Sequence, residues 1–342
     1  MYSMSKIGVL GVGTFGMSMA RMLCVHGHEV QCWSALPEEI DSLMATKRHP
    51  NLPGMIVPDE IEFTKDLETV CTGKDLLLVI IPSIYIRRTA RNASKYIPDN
   101  MIVVEGAKGM EAGTHMSLGE VFEDEMNARG KKIRSVILAG PTHAEEVSID
   151  MPVCFVAASE DKGAALFVQH EFDNELVKVY TCDDPLGVAL SGMFKNIIAL
   201  ASGVLLGMGY GDSIRAALIT RGVAEMTTLG LKMGCNRETF VGLAGVGDTI
   251  VTAMSLNSRN CRCGKLIGEG VPLEQALKQV GQTVEGVNTL PAALELADQY
   301  GLELPLTRAV DDVLNRGFDP HVVFHDLMVR ESGEETAYLK LL

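Results

Sequence analysis

The sequence has little positive charge for its size. Its 342 residues include 30 Lys and Arg but 44 Asp and Glu, so the formal net charge is −14. This acidic balance argues against nucleic acid or an anionic membrane as the main partner. Basic residues that bind a phosphate must act locally, against the charge of the whole chain.

The eight cysteines lack the spacing of a metal site or of a disulfide framework. They are scattered from Cys24 to Cys263, with no Cys-x-x-Cys motif and no matching histidine pattern. Cys261 with Cys263, and His321 with His325, come nearest to ligand pairs, but no third or fourth ligand lies nearby. Reduced thiols and no metal are expected.

No signal or transit segment is expected, and no internal repeat or low-complexity segment stands out in the sequence. The first strand pattern begins almost at Met1, which predicts a cytoplasmic protein. Residues 186–208 are nearly apolar enough to span a membrane, but Lys195 and Asn196 lie at their centre. A buried core helix is the better interpretation, and no membrane insertion is expected.

A glycine-rich turn is the most informative motif present. Gly11, Gly13 and Gly16 form Gly-x-Gly-x-x-Gly between an apolar strand at 6–10 and an amphipathic stretch at 17–26. The first glycine permits a tight turn, the second allows a pyrophosphate to approach the backbone, and the third lets the helix pack on the strand. This context predicts a dinucleotide-binding turn, with the helix N-terminus facing the anion.

The rest of the N-terminal half alternates strand and helix patterns. Strand-like runs follow at 29–33, 75–81, 101–105, 135–139, 153–157 and 177–180, of which 75–81 is the most aliphatic. The pattern predicts an α/β fold with a Rossmann-type, doubly wound parallel sheet. Ligands bind at the carboxyl ends of such strands, so the loops 82–83, 106–109 and 140–144 should converge with the glycine turn.

Strand patterns stop near Asp184, and helical patterns rich in Ala, Gly, Leu and Met follow. The length of the chain also exceeds that of one usual core. We therefore predict a dinucleotide-binding domain at residues 1–184 and a mostly α-helical substrate and catalytic domain at residues 185–342.

Lys195 is the leading candidate for acid/base chemistry. It lies in the apolar segment 190–200, where burial disfavours its charged form unless an acid partners it. The structural alternative is a lysine that reaches solvent along its stem or forms a salt bridge. Asp248 follows a glycine-rich turn, where it either caps a helix or approaches a substrate.

Two further groups have ambiguous chemistry by themselves. Ser258, Arg259 and Asn260 form a compact set of donors with a guanidinium suited to phosphate, although such a group is often a solvated turn. Lys108 lies in a glycine-containing loop after a predicted strand, a common place for site residues.

Together these segments closely resemble the bacterial-type NAD(P)-dependent glycerol-3-phosphate dehydrogenases over nearly the whole chain. The ordered set is more specific than any single motif, which recurs in other β-hydroxyacid dehydrogenases. The segments are the glycine turn at 11–16, Lys108-Gly109-Met110-Glu111, Gly140-Pro141-Thr142-His143-Ala144-Glu145-Glu146, Phe194-Lys195-Asn196-Ile197-Ile198-Ala199, Ala244-Gly245-Val246-Gly247-Asp248, Asn257-Ser258-Arg259-Asn260 and Val284-Glu285-Gly286-Val287.

The resemblance implies reversible hydride transfer between sn-glycerol 3-phosphate and dihydroxyacetone phosphate, supplying glycerol 3-phosphate for phospholipid synthesis. Lys195 would be the general acid/base. The residues that the resemblance places around the substrate are Lys108, Gly140, Thr142, Lys195, Asn196, Asp248, Thr252, Ser258, Arg259 and Asn260. Those that it places around NAD or NADP are Gly11, Gly13, Thr14, Phe15, Gly16, Lys108, Ala144, Arg259, Thr283 and Glu285.

The sequence departs from this family after the second strand. The family typically has Trp-Ala/Gly-Arg there, with the arginine on the 2′-phosphate of NADP, whereas this chain has Trp33-Ser34-Ala35-Leu36. Ala35 offers no cation, so NADH should be used at least as well as NADPH. Ser34, or the more distant Lys47 and Arg48, could compensate if the following loop folds back.

Two other functions stay open at this point. A lysine-dependent dehydrogenase for a β-hydroxyacid or a ketopantoate-like substrate would share the architecture but needs a carboxylate-binding set. A non-catalytic NAD(H) sensor would not need to bury Lys195. The expected partner is a small phosphorylated substrate, and a homodimer is left open.

Overall fold

The computed structural model describes residues 4–107, 109–331 and 333–334. Within these residues the strands form an eight-stranded sheet. The strands are β1 (Lys6–Leu10), β2 (Glu29–Trp33), β3 (Glu62–Thr64), β4 (Leu76–Val79), β5 (Met101–Glu105), β6 (Ile133–Ala139), β7 (Val153–Ala158) and β8 (Val177–Cys182).

The strand order makes β1 the place where a ligand crevice is expected. The order is β3-β2-β1-β4-β5-β6-β7-β8, and β1 pairs in parallel with both β2 and β4. The chain leaves β1 toward one edge of the sheet and later returns to its other side. The carboxyl ends of β1 and β4 therefore flank a topological switch point, where doubly wound sheets bind their ligands.

The sheet is parallel, as predicted, apart from one pair. β7 runs antiparallel to β6, because the 13-residue connection at 140–152 holds only the one-turn helix α6 (Ala144–Val147), which cannot build a right-handed crossover. β3 was not predicted, since three residues are too few to show an alternating pattern.

Helices cover both faces of the sheet. On β4, Leu76 and Leu78 pack in one apolar cluster while Leu77 and Val79 pack in another, which explains the uninterrupted aliphatic run. Besides α6, the helices of this part are α1 (Thr14–Val25), α2 (Pro37–Thr46), α3 (Leu67–Cys71), α4 (Ile86–Ala93), α5 (Leu118–Asn127) and α7 (Lys162–Phe172).

The described residues divide into two compact units. Unit 1 lies within Met1–Ala107 and Met116–Pro185, and unit 2 lies within Lys108–His115 and Leu186–Leu342. The short segment before His115 groups with unit 2 because Gly113 N and His115 Nε2 contact the Glu295 carboxylate at 3.0 and 2.8 Å. Nothing in the sequence indicated this excursion.

Unit 2 is helical throughout its regular structure. Its longest helix is apolar enough by length and composition to cross a membrane, but 94% of that apolar window is buried within the protein. The helices are α8 (Pro185–Gly207), α9 (Asp212–Lys232), α10 (Arg237–Val241), α11 (Asp248–Met254), α12 (Arg259–Gly268), α13 (Leu273–Val280), α14 (Glu285–Gln299), α15 (Pro305–Leu314) and α16 (Pro320–Met328).

Glycines let α8 and α12 pack at backbone distance. A Cβ atom on Gly203 of α8 would lie 2.2 Å from the Cys261 carbonyl oxygen, and one on Gly264 of α12 would lie 2.0 Å from that of Leu200. Larger residues would force the helices apart. The crossing fixes the start of α12, which carries the predicted donor group, against the middle of α8, which carries Lys195.

Candidate functional site

The glycine turn of unit 1 has the geometry that its sequence predicts. Gly11 has a φ of +113°, and a Cβ atom there would lie 2.1 Å from the Ile80 carbonyl oxygen. A Cβ atom on Gly16 would lie 2.1 Å from the Gly11 carbonyl oxygen. Packing between β1, α1 and the end of β4 therefore requires both glycines.

Gly13 has a different reason to be glycine. No protein atom of the described structure lies within 4 Å of the position of its Cβ atom, so packing does not exclude a side chain. Gly13 is also the N-cap of α1, whose first N–H groups lack helical partners. Open space at this helix N-terminus fits the phosphate groups of a dinucleotide.

Other predicted residues of unit 1 lie around this turn or at the ends of neighbouring strands. Thr14 and Phe15 open α1, and the Phe15 ring lies 6.5 Å from that of Phe155. Gly140 follows β6 with a φ of +152°. The Thr142 hydroxyl contacts the Gly140 carbonyl at 3.4 Å, and Ala144 begins α6, which packs against α1.

The loop after α2 folds back onto the glycine turn. His49 forms a hydrogen bond with the Val12 backbone, although burial lowers the pKa of its imidazole. The Asn51 side-chain amide lies 3.4 Å from the Thr14 hydroxyl. Sequence reasoning missed both residues, since no spacing signal shows where a loop returns.

An acidic side chain is held at the end of β2, where an adenosine ribose would lie in a Rossmann-type site. The Ser34 hydroxyl donates to Glu39 at 2.5 Å and accepts from the Leu36 N–H at 3.1 Å. Of the two basic residues after α2, Lys47 pairs with Asp59 at 3.1 Å, and Arg48 Nη1 donates to the Pro53 carbonyl oxygen at 3.4 Å. The carboxylate of Glu39 would oppose a 2′-phosphate at this position.

Glu105 is a further residue that sequence reasoning missed. It ends β5 and is fully buried, and its carboxyl oxygen accepts from the Ala107 N–H at 2.7 Å. Burial raises the pKa of this carboxyl well above its usual range. Its hydrogen bond fixes the loop that leads to Lys108, a predicted site residue that lies outside the described residues.

In unit 2 the predicted lysine and aspartate form a buried pair. Lys195 Nζ donates to Asp248 Oδ1 at 2.5 Å and to Thr252 Oγ1 at 3.2 Å. The Thr252 hydroxyl contacts the same carboxylate oxygen at 3.2 Å. The side chain of Lys195 is 5% exposed and that of Asp248 is 0% exposed, so the lysine does not reach solvent along its stem. It forms a salt bridge, which the structural alternative also foresaw, so the acid/base role stays a prediction.

A π-helical turn places the aspartate. Residues Leu243–Gly247 form this turn, in which Gly245 lies so close to Phe240 that a Cβ atom would sit 2.1 Å from its carbonyl oxygen. π-Helical turns occur frequently at functional sites. Asp248 is the first residue of α11, and its side chain contacts Lys195 instead of capping the helix.

The donor group opens a helix, with Ser258 and Asn260 buried and Arg259 partly exposed. Ser258 caps α12, its hydroxyl accepting from the Cys261 N–H at 3.2 Å. Asn260 Nδ2 donates to Asn196 Oδ1 at 2.9 Å, and Asn260 Oδ1 accepts from the Gly286 N–H at 2.8 Å. Asn260 thus joins α12 to α8 and to the first turn of α14.

Three further predicted residues lie at the starts of helices in unit 2. Arg259 is the first residue of α12 and Glu285 the first of α14, with Thr283 two residues before it. All three are partly exposed. The hydrogen bonds of Asn260 bring the starts of these two helices together.

Comparison with known proteins identifies the family of the chain. A family model described as the N-terminus of NAD-dependent glycerol-3-phosphate dehydrogenase matches residues 6–165, and one for the C-terminus of the same family matches residues 184–325. A glycerol-3-phosphate dehydrogenase (NAD(P)+) of Lactobacillus delbrueckii subsp. bulgaricus is 53% identical over 97% of this chain and 99% of its own length.

Solved structures show the same relationship. Glycerol-3-phosphate dehydrogenase from Coxiella burnetii matches with a TM-score of 0.91 at 31% identity, covering 96% of this chain and 99% of that one. A ketopantoate reductase from Ralstonia eutropha, at 15% identity and a TM-score of 0.58 over 94% of this chain and 99% of its own, shares the fold alone. The predicted resemblance and fold class are confirmed: the chain belongs to the NAD-dependent glycerol-3-phosphate dehydrogenase family.

Proposed function

We propose that the chain catalyses the reversible NAD(P)-dependent oxidation of sn-glycerol 3-phosphate to dihydroxyacetone phosphate, with Lys195 as the general acid/base. Residues 1–184 would bind the nucleotide, and residues 185–342 would bind the substrate and supply the acid/base. The observation that carries the proposal is the buried hydrogen-bonded group of Lys195, Asp248 and Thr252 in a member of this family.

The buried pair suits Lys195 to move a proton. In the reducing direction its ammonium group donates a proton to the carbonyl oxygen as negative charge develops there. In the oxidising direction its amine accepts the proton of the C2 hydroxyl. Asp248 stabilises the ammonium form, and Thr252 fixes the geometry of both groups through hydrogen bonds at 3.2 Å.

The start of α12 would bind the phosphate of the substrate. Arg259 provides a guanidinium there, and the first N–H groups of the ten-residue helix give positive potential. Ser258 and Asn260 act mainly by holding this helix start in place, because their side chains bond to Cys261, Asn196 and Gly286.

The glycine turn at Gly11–Gly16 would hold the dinucleotide, with Thr14 and Phe15 beside it. The nicotinamide supplies or accepts the hydride when it is bound. Lys108, Ala144, Arg259, Thr283 and Glu285 complete the set that the family resemblance assigns to the cofactor. The Glu39 carboxylate, which the Ser34 hydroxyl holds at the end of β2, would repel a 2′-phosphate. The chain should therefore use NADH at least as well as NADPH.

The proposal is tested by following NADH oxidation with dihydroxyacetone phosphate, unphosphorylated dihydroxyacetone and ketopantoate. We expect kcat/KM to be highest for dihydroxyacetone phosphate, because a ketone without the phosphate leaves partly buried donors unpaired. Equal kcat/KM for the two forms of dihydroxyacetone would refute the phosphate assignment. Preference for ketopantoate would identify the rival dehydrogenase.

The proposed cellular role is the supply of glycerol 3-phosphate for phospholipid synthesis in the cytoplasm. A homodimer is left open as its assembly. Sedimentation velocity of the purified chain measures its oligomeric state. The result does not affect the chemistry proposed for Lys195.

A further inference from the structure

A buried arginine of unit 2 has no part in the proton transfer proposed for Lys195. Arg215 lies in the first turns of α9 and is only 4% exposed. Its Nη1 contacts Asp212 at 3.3 Å, but that side chain is 84% exposed and screens the buried charge weakly. Burying a guanidinium costs stability unless its donors are well used.

The other donors of Arg215 converge on the end of α11. Its Nη2 donates to the Ala253 carbonyl oxygen at 2.9 Å, and its Nε donates to the Ser202 hydroxyl at 3.1 Å. Ser202 donates to the same Ala253 oxygen at 2.8 Å. Carbonyls in the last turn of a helix lack helical partners and carry partial negative charge, which a guanidinium complements.

This contact lies next to the acid/base group. Ala253 directly follows Thr252, and α11 has only seven residues, too few for a helix that is stable by itself. Ser202 comes seven residues after Lys195 on α8, so both side chains lie on one face of that helix. Lys195 with Asp248 and Ser202 with Ala253 are thus two successive links between α8 and α11.

We propose that Arg215 is a positioning residue for catalysis. It fixes the carboxyl end of α11 so that Asp248 and Thr252 keep their hydrogen bonds to Lys195. Without the guanidinium, α11 can shift along α8, and the carboxylate stabilises the ammonium group less. This inference extends the proposed acid/base role of Lys195 and rests on it.

The test compares Arg215→Met and Ser202→Ala with the parent enzyme. Because a displacement of about 1 Å can cost about 100-fold in rate, Arg215→Met should lower kcat by about 10- to 100-fold. At high pH, kcat for reduction falls because the ammonium group of Lys195 loses its proton. Arg215→Met should move this falling limb of the pH profile to lower pH, because Asp248 then stabilises the ammonium form less. Ser202→Ala should shift the same limb in the same direction, with a loss of about 3- to 10-fold.

Two control variants separate a positioning role of Arg215 from the general effect of losing a positive charge. Arg316→Met removes an exposed guanidinium that pairs with Asp311 and Asp312, and it should leave kcat and the pH profile unchanged. Arg215→Lys keeps a positive donor and should lie between the parent and Arg215→Met. A lysine variant no better than the methionine variant would overturn the proposal.

Hydrogen exchange gives a readout that does not depend on activity. Backbone amides of α11 should exchange faster in Arg215→Met and in Ser202→Ala, whereas those of α14 should not. A folded Arg215→Met with the parent's pH profile or the parent's α11 exchange overturns the inference. If Arg215→Met does not fold, the same two measurements on Ser202→Ala decide it. A parent that fails to reduce dihydroxyacetone phosphate refutes the proposed function, while the exchange data still test the coupling.

Discussion

Replacing Lys195 with methionine should remove most of the catalytic rate. Methionine keeps the unbranched stem in the packed interior of α8 but cannot transfer a proton. Loss of a positioned acid/base costs about 10²- to 10⁴-fold in kcat, which corresponds to about 2.7–5.4 kcal/mol of barrier at 1.36 kcal/mol for each tenfold change.

The structure adds a stability cost that the sequence did not reveal. Asp248 is fully buried and loses its lysine partner in Lys195→Met, while its contact with the Thr252 hydroxyl remains. Removing one partner of a buried ion pair typically costs about 3–5 kcal/mol. Lys195→Met alone therefore mixes a catalytic effect with partial unfolding.

A second substitution separates the two effects. Combining Lys195→Met with Asp248→Asn replaces both members of the buried pair with neutral side chains, and the new amide oxygen can still accept from Thr252. The thermal midpoint should therefore recover toward the parent, while the rate of NADH oxidation at saturating dihydroxyacetone phosphate stays low. Cofactor affinity, measured by NADH fluorescence, should change little. Near-normal turnover in either variant would show that Lys195 is structural.

Three further outcomes follow from other parts of the structure. Gly13→Ala adds a Cβ atom where no protein atom of the described structure lies within 4 Å, so it should not lower the thermal midpoint. It should raise KM for NADH, because the Cβ atom would occupy space proposed for a phosphate. An unchanged KM would argue against a phosphate there. Ala35→Arg should shift the kcat/KM ratio toward NADPH by roughly 5- to 100-fold, and a parent that already prefers NADPH tenfold would contradict the role given to Glu39. Burial raises the pKa of Glu225 to about 7 although Leu306 N, Thr307 N and the Thr307 hydroxyl donate to it. Since that folded-state pKa lies above the unfolded value, the contribution of Glu225 to stability is present below about pH 4.5 and is lost as pH rises through about 7. The thermal midpoint of the parent should therefore fall over this pH range, and that of Glu225→Gln should not show this loss.

Local patterns predicted the elements of the fold better than their long-range pairing. The glycine turn and the strands around it follow from runs and spacings that lie within a few residues of one another. The antiparallel β7 and the return of His49 and Asn51 to the turn depend on how connections close in space, which no local pattern records. The predicted domain division at 184/185 stays a prediction, although Pro185 ends unit 1.

In the candidate site, too, single residues could be predicted from the sequence, whereas their contacts with distant residues could not. Lys195 stood out because a charge in an apolar run is costly, but its bond to Asp248 joins residues 53 positions apart and was not predicted. The sequence offered Asp248 only as a helix cap or as a residue that approaches the substrate. Asn260 looked like a substrate donor, but the nitrogen of its side-chain amide donates to Asn196 and the oxygen accepts from Gly286. Arg215 gave no signal, because an arginine near a helix start usually faces solvent.

The buried ion pair explains why so many small residues and hydrogen bonds surround it. A lysine and an aspartate hidden from water stabilise the fold only if their distance is held closely, since the desolvation penalty stays the same when the attraction weakens. The glycines at the crossing of α8 and α12, the π-helical turn before Asp248 and the contacts of Arg215 with Ala253 each limit movement of one helix. If these constraints serve the acid/base group, a substitution that weakens any of them should alter the pH dependence of turnover even when unit 2 stays folded.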